Sequence, residues 1–526
     1  MPTRFARRRL IALFAVLGGS LACAAPAVAD VTLQPAVPVG SELAPAGPTV
    51  GTVPDVSAAA AEDSLEQAEA ALAGEGGHPS TALAELAVAL PSLEGSDRRR
   101  GEALLARPTD GPNDPYGDGY TAPARAAASD HFCYFWVESG ADAVPLSDAN
   151  GNAIPDYIEL LALIAEEVWT AEHTRLGWPT PRSDGTLGCN AGDGRSRTDV
   201  YAVNVGAQGL YGYAATDPGQ RGHRQFSFLV LDNDQAEFAP QYGGIVPPAQ
   251  VTLAHEYNHV LHFSIDAIQD GWMKESVATW MEEIVFPDVN DYLQYVGPWA
   301  REVQTPLTTF SNRSLKVYGS AVWNHFLSKR LGNGVVRNAW TASLKTNPQS
   351  FAAKAYDRAI KGARGRRDFV SEFVRFAAAT AEWRSTRVFP DSAQYPDVRR
   401  TGTIATRERF FDRFNIDHTT FRLANVPDRS GAAVKLELRA PRGVAVGLAL
   451  VGRIGRGAGA RVISVARDLP NGGVGAVRLS RPGRFSRITA VLVNADFAIR
   501  GFSGARGDWI YRGDNTRILA ATYKLR

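Results

Sequence analysis

The chain has 526 residues, 45% hydrophobic and 21% charged, with a formal net charge of +1. That length exceeds what one hydrophobic core serves, so two or three domains are expected. A charge this close to zero excludes a bulk field aimed at nucleic acid or an anionic membrane, and neither is expected as a partner.

Residues 1–29 read as a secretory signal peptide. Arg4, Arg7, Arg8 and Arg9 form the positive n-region, Leu10 to Leu21 the apolar stretch, and Ala27-Val28-Ala29 the cleavage site. No later apolar run approaches the roughly 20 residues that span a bilayer, so a secreted protein without a transmembrane segment, acting as a monomer, is expected. Removal of the signal takes Cys23 with it and leaves Cys133 and Cys189. Two cysteines in an exported chain are expected to form a disulfide, and without a C-x-x-C they are not a metal motif.

Residues 30–115 are rich in Ala, Pro, Val and Glu. Val31 to Val53 is dense in Pro and Gly and reads as a flexible lead-in, whereas Ala58–Ala73 and Ser80–Leu105 read as helix. The segment is expected to be a helical pro-region that shields a site, or a structural cap. Arg98-Arg99-Arg100 is either a processing point or a solvated charge run.

A turn-rich boundary near residue 116 precedes His131 to Val137, an apolar strand. Asp148, Asn150, Asn152 and Asp156 then place side-chain oxygens at alternate positions around Gly151. A hard cation such as Ca2+ takes ligands of this type, but an Asx-rich turn ahead of a helix uses the same residues. Tyr157 to Thr174 reads as an amphipathic helix, and Asp199–Val205 and Gln225–Asp232 as strands. The second strand, containing Phe228, is expected to be the sheet edge on which an extended substrate pairs.

Thr252 to Phe263 contains His255-Glu256-Tyr257-Asn258-His259, an H-E-x-x-H in helix-forming context. Histidines four residues apart project from one helical face, and the carboxylate beside the first reaches a metal-held water without being a ligand. Two such ligands plus a third leave one position open on Zn2+, the catalytic arrangement. His262 is seven residues from His255, about 10 Å along the axis, too far for three imidazoles of one helix to share a tetrahedral ion. A following helix from Trp272 to Phe286 offers Glu275 and Glu282 as third ligand, and rise per residue alone leaves both open. Downstream, Tyr318 and His325 are candidate donors to an oxyanion, with Tyr318 preferred.

Trp272-Met273-Lys274-Glu275-Ser276-Val277-Ala278-Thr279-Trp280-Met281-Glu282 resembles the W-x-x-E-small-x-A-x-aromatic-x-E helix of gluzincin zinc peptidases. The stretch from His131 to about Leu331, well under half the chain, resembles secreted bacterial metallopeptidases of that clan. The shared features are D-x-N-G-N-x-x-P-D-Y, H-E-x-x-H, W-M-x-E and Tyr318-Gly-Ser. The resemblance implies Glu275 as the zinc ligand, although the fifteen residues between His259 and Glu275 are fewer than in thermolysin-like members. It implies hydrolysis of a protein or peptide by a zinc-bound water with Glu256 as general base and Tyr318 assisting. The alternative is a secreted adhesin or binding protein on an inactive zincin fold.

Beyond about residue 400, Val434–Leu438, Arg461–Val465, Ala476–Leu479 and Ile488–Val493 are short alternating runs between Gly, Pro and Arg turns. They suggest a β-sandwich over 405–526. The expected fold is α+β: a zincin-like catalytic domain at 116–400, the helical N-terminal region, and the C-terminal sandwich.

Overall fold

The computed structural model describes residues 31–39, 56–110, 119–343 apart from 186, 221, 312 and 313, 351–404 apart from 366, 416–503, 508–511 and 522–525. The expected signal peptide lies outside the described residues. None of the described helices is long and apolar enough to cross a membrane.

The chain is a mixed α and β structure built on one seven-stranded sheet. Its strands are β1 (Gln34–Val39), β2 (Arg125–Ala128), β3 (Phe132–Trp136), β4 (Gly188–Asn190), β5 (Thr198–Val203), β6 (Gly212–Thr216) and β7 (Ser227–Asp232). They lie in the order β4-β1-β2-β3-β5-β7-β6; β3, β5 and β7 are parallel neighbours and the other pairings are antiparallel. Two expectations fail here. Residues 34–39 of the Pro-rich lead-in form a strand: residues 34–36 pair with β2 and 37–39 with β4. Each residue is thus bonded on one side only, which accommodates the missing N–H of Pro35 and Pro38. The expected edge strand, β7, lies inside the sheet with Phe228 opposite Ala215, and β6 is the edge.

Strand alternation splits the apolar residues of the sheet between two helical layers. Phe132, Tyr134, Trp136, Leu229 and Leu231 face α4 (Asp156–Trp169) and the long helix described below, in the main core. Cys133, Phe135, Tyr201, Phe228 and Val230 face α1 (Ala58–Leu72), α2 (Pro79–Ala89) and α3 (Gly95–Leu104); Leu65, Leu83 and Leu86 of these helices, with Leu90 just after α2, complete a second core. Pro91 falls where the long helical run expected over 80–105 divides into α2 and α3. The N-terminal region is therefore a structural layer of the sheet. Arg98 and Arg100 lie in α3, where they pair with Glu102, Asp97 and Glu69.

After the short α5 (Ala239–Tyr242), α6 (Val246–Asp266) opens on Pro247 and Pro248, which tolerate the first helical turn because its N–H groups lack partners anyway. Helices α7 (Gly271–Val285), α8 (Leu293–Arg301), α9 (Lys316–Gly319), α10 (Ala321–Leu331), α11 (Gly334–Thr341), α12 (Ala352–Arg364) and α13 (Phe369–Thr380) continue the layer.

The C-terminal residues form two facing sheets. One runs β12-β11-β14-β9-β8, through Arg461–Leu469, Val446–Ile454, Arg487–Asn494, Thr420–Asn425 and Gly402–Thr403. The other joins Gly473–Ser480, Ala433–Ala440 and Thr522–Leu525. Val434, Leu436, Leu438, Leu448 and Leu450 fill the space between them. The expected start at residue 405 is slightly late, since Gly402–Thr403 already pairs in the larger sheet. That sheet's other face, with Ala449, Val451, Val491 and Val493, joins the main core beside Phe373 and Val374 of α13.

Cys133 and Cys189 are paired as expected, with Cα atoms 6.2 Å apart. Beside them Arg107, 1% exposed, bonds the carboxylates of Asp199, Asp217 and Asp184. Burial raises Asp199 and Asp184, and Arg107 opposes that rise. One guanidinium offsets three buried acids, and removing it strands them. Arg107→Gln is expected to cost about 3–5 kcal/mol of unfolding free energy, read as a lower urea midpoint; an unchanged midpoint contradicts the assignment.

Candidate metal centre

Helix α6 is buried on nearly every side, so its polar residues must find partners inside the protein. Asn258 donates to Glu172 at 2.7 Å, and the Tyr257 hydroxyl meets His173 Nε2 at 2.8 Å. His255 and His259, one turn apart, meet the following helix. After the turn at 267–270, α7 brings Glu275 Oε2 to 3.4 Å from His255 Nε2 and 3.5 Å from His259 Nε2. The ligand-competent atoms of these three buried residues all lie within 4.8 Å of one another. Glu282, two turns further on, meets the other side of the ring, its Oε1 2.6 Å from His255 Nδ1. It is therefore placed to orient His255 through Nδ1 and leave Nε2 towards Glu275.

The charge balance of this cluster calls for a cation. Glu256, Glu275 and Glu282 are all buried carboxylates. Burial opposes protonation of His255, but its bonds to Glu275 and Glu282 outweigh that and hold it well above the ordinary imidazole value. Burial pushes Glu275 up, yet His259 and His255 hold it well below the carboxylate range. Burial pushes Glu282 up to about 8, against the pull of His255. Both ring nitrogens of His259 are buried without a hydrogen-bond partner. Orphaned imidazole nitrogens beside an ionised carboxylate fit a divalent metal with nitrogen and oxygen preferences, such as Zn2+.

Glu256, beside His255, accepts a 2.6 Å bond from Ser80 Oγ. Burial raises its pKa, opposed by His255, His259 and Ser80. Tyr318 lies with its ring centroid 5.8 Å from that of His255. The next residue, Gly319, lets α9 lie close against α8, because a Cβ there would stand 2.4 Å from the Tyr295 carbonyl oxygen. Burial, with Glu275 and Glu256 nearby, keeps the Tyr318 phenol protonated well beyond the usual range.

His262 stacks on Trp340 at 3.8 Å between centroids, and burial holds it well below the imidazole value, which makes it a core histidine. His325 packs on Tyr292, and burial pushes it down to about 3. In the loop at 148–156, Asp148 accepts the N–H groups of Gly151, Asn152 and Ala153, and Asp156 accepts Ser147 Oγ and Ala149 N–H. Asn150 and Asn152 accept N–H groups two residues ahead. These oxygens serve the loop's own backbone, the arrangement of a capped Asx turn.

The sequence reading missed three residues at the start of α2. His78 Nδ1 is 3.9 Å from Glu275 Oε2, Ser80 bonds Glu256, and Thr81 Oγ1 donates to Glu275 Oε1 at 2.5 Å. A Pro after His and two hydroxyl residues mark a helix start, but nothing in that pattern tells which distant carboxylates it meets.

No protein-family model matches the chain, and no curated protein matches it.

Two measurements test this geometry. Glu275→Gln should abolish stoichiometric zinc uptake, whereas Glu282→Gln should keep it with affinity lowered about 10–100-fold, by chelator competition; the reverse order makes Glu282 the ligand. His325, protonated more readily unfolded (6.5) than folded (about 3), costs stability as pH falls below 6.5, about 1.4 kcal/mol per unit. Relative to His325→Gln, the wild type should therefore lose thermal stability between pH 6.5 and 4; parallel curves rule this out.

Proposed function

We propose that the protein is a zinc-dependent metallopeptidase of the gluzincin type that hydrolyses peptide bonds outside the cell. The observation that carries this reading is the buried convergence of His255, His259 and Glu275, with the nitrogens of His259 left unpartnered. His255, His259 and Glu275 would hold the metal, and Glu282 keeps the His255 ring oriented. Zinc, when bound, supplies Lewis-acid polarisation of the scissile carbonyl and acidifies water.

The protein's own groups supply the proton transfers. The Ser80 hydroxyl marks a place 2.6 Å from the Glu256 carboxylate that fits a water. From there Glu256 removes a proton as water attacks the carbonyl carbon, then delivers it to the leaving amine. Burial raises the affinity of Glu256 for that proton towards what a base working near neutrality requires. The protonated Tyr318 phenol is a donor for the developing oxyanion. The edge of β6 offers the Ala214 N–H, which points out of the ladder to Ser80, for pairing with an extended substrate.

The full chain should take up one zinc per molecule. Labelled casein should be cleaved, before or after mild trypsin treatment, with cleavage lost to chelator and restored by zinc. Glu256→Gln should retain the zinc and lower cleavage at least about 100-fold. Full zinc occupancy without chelator-sensitive cleavage in either preparation would favour a binding protein on an inactive site.

A further inference from the structure

The metal site is shut. His255, Glu256, His259 and Glu275 are each at most 9% exposed, and the segment entering the site from above the β6 edge is the start of α2. We propose that His78–Thr81 is a tethered inhibitor that keeps the site latent, with His78 taking the metal's open position in place of the attacking water and Ser80 engaging the Glu256 carboxylate. The proposal rests on the metallopeptidase reading and adds its regulation.

Each contact of the segment blocks a different working part. Ser80 Oγ donates to Glu256 Oε2 and accepts from Ala214 N at 2.9 Å, so one hydroxyl engages both the general base and the substrate-pairing edge. Thr81 holds the second oxygen of Glu275. His78 is 2% exposed and its Nδ1 has no hydrogen-bond partner. The ring also meets the backbone of Ser311. From Glu275 Oε2, the nitrogens of His255, His259 and His78 stand at 3.4, 3.5 and 3.9 Å. Tetrahedral zinc with bonds of about 2.0–2.1 Å separates its ligands by about 3.3–3.4 Å, so His78, which stands at the margin of the His255, His259 and Glu275 cluster, moves inward to complete the set. The ring is steadied by Tyr318, at 4.6 Å, and Phe310, at 5.0 Å.

The segment is also built to be released without dismantling the fold. The body of α2 stays in the second core through Leu83 and Leu86. Ahead of His78 the chain runs Ala73-Gly74-Glu75-Gly76-Gly77, exposed from 73 to 76, with φ of 70°, 103° and 116° at the three glycines. Glycine adopts those angles without the strain a side chain would bring; Gly74 packs against the Gln208 carbonyl, so the exposed residues after it are where the loop can be cut while the layer beneath stays in place.

The test uses the full chain loaded with cobalt(II) in place of zinc. In the wild type, acetohydroxamate should bind weakly. His78→Ala should change the visible cobalt spectrum and bind acetohydroxamate at least tenfold more tightly. The zinc form of His78→Ala/Ser80→Ala should cleave labelled casein at least tenfold faster than the wild type. A second protein, carrying a protease site in the 73–77 loop, should show the same gains on cutting, with the first 77 residues still associated. Identical spectra and hydroxamate affinities in wild type and His78→Ala overturn the inhibitor while leaving the metallopeptidase intact. A fall in cleavage on either release also overturns it and makes His78 a working part of the site. Failure of every form to take up metal removes the metallopeptidase reading, and the inhibitor with it.

Discussion

The shared oxygen of Glu275 is the constraint on which the rest of this arrangement depends. It lies between two imidazoles of α6 and is reached by the first turns of α7, in a region where water is excluded. An ionised carboxylate in such a place is stable only with positive charge beside it, and two neutral imidazoles supply none. Without a metal, the proton that His255 holds more tightly than usual serves that purpose. A metal would serve it better, because it can also take the orphaned Nε2 of His259, the nitrogen that faces Glu275. The α6–α7 turn, the orientation of His255 by Glu282, and the ring of Tyr318 beside His255 all hold this geometry in place.

The sheet and its two helical layers act as the frame. The layer carrying α4 and α6 presents the histidines, and the opposite layer, α1 to α3, belongs to the region that composition marks as a pro-segment or cap. Its apolar side chains cover Phe135, Tyr201, Phe228 and Val230, and Arg107 at its end neutralises buried aspartates of the sheet. Wholesale removal would expose an apolar sheet face and strand three carboxylates. Release confined to the few residues at the start of α2 avoids both costs, which is why the Gly-rich loop before His78 matters.

Much of the fold was legible because its signals are local. Helix-forming runs located α1 and α6, period-3.6 patterning located α4 and α7, and the alternating runs of the C-terminal part correspond to strands of two facing sheets. Misreadings came where neighbours in space override local preference. Pro35 and Pro38 suggested a flexible lead-in, yet one-sided pairing makes a strand there. Gln225–Asp232 looked like a sheet edge, but β6 lies outside it, and strand order is not written in periodicity. At 148–156 the residue types left a cation loop and an Asx turn both open, and in the structure Asp148 and Asp156 accept N–H groups of the loop itself.

The sequence by itself determined that His255 and His259 share a face with Glu256 beside them, because four residues make about one helical turn wherever the helix lies. It also put Glu275 and Glu282 on the next helix, since helix periodicity is equally local. Only the tertiary structure decided that Glu275 turns to the Nε2 atoms and Glu282 to Nδ1, because the angle and depth of α7 depend on packing along its whole length. The same holds for His78, Ser80 and Thr81. Ser80 and Thr81 meet residues 176 and 194 positions away, and contacts across such distances follow from how layers stack, not from any pattern in the neighbouring chain.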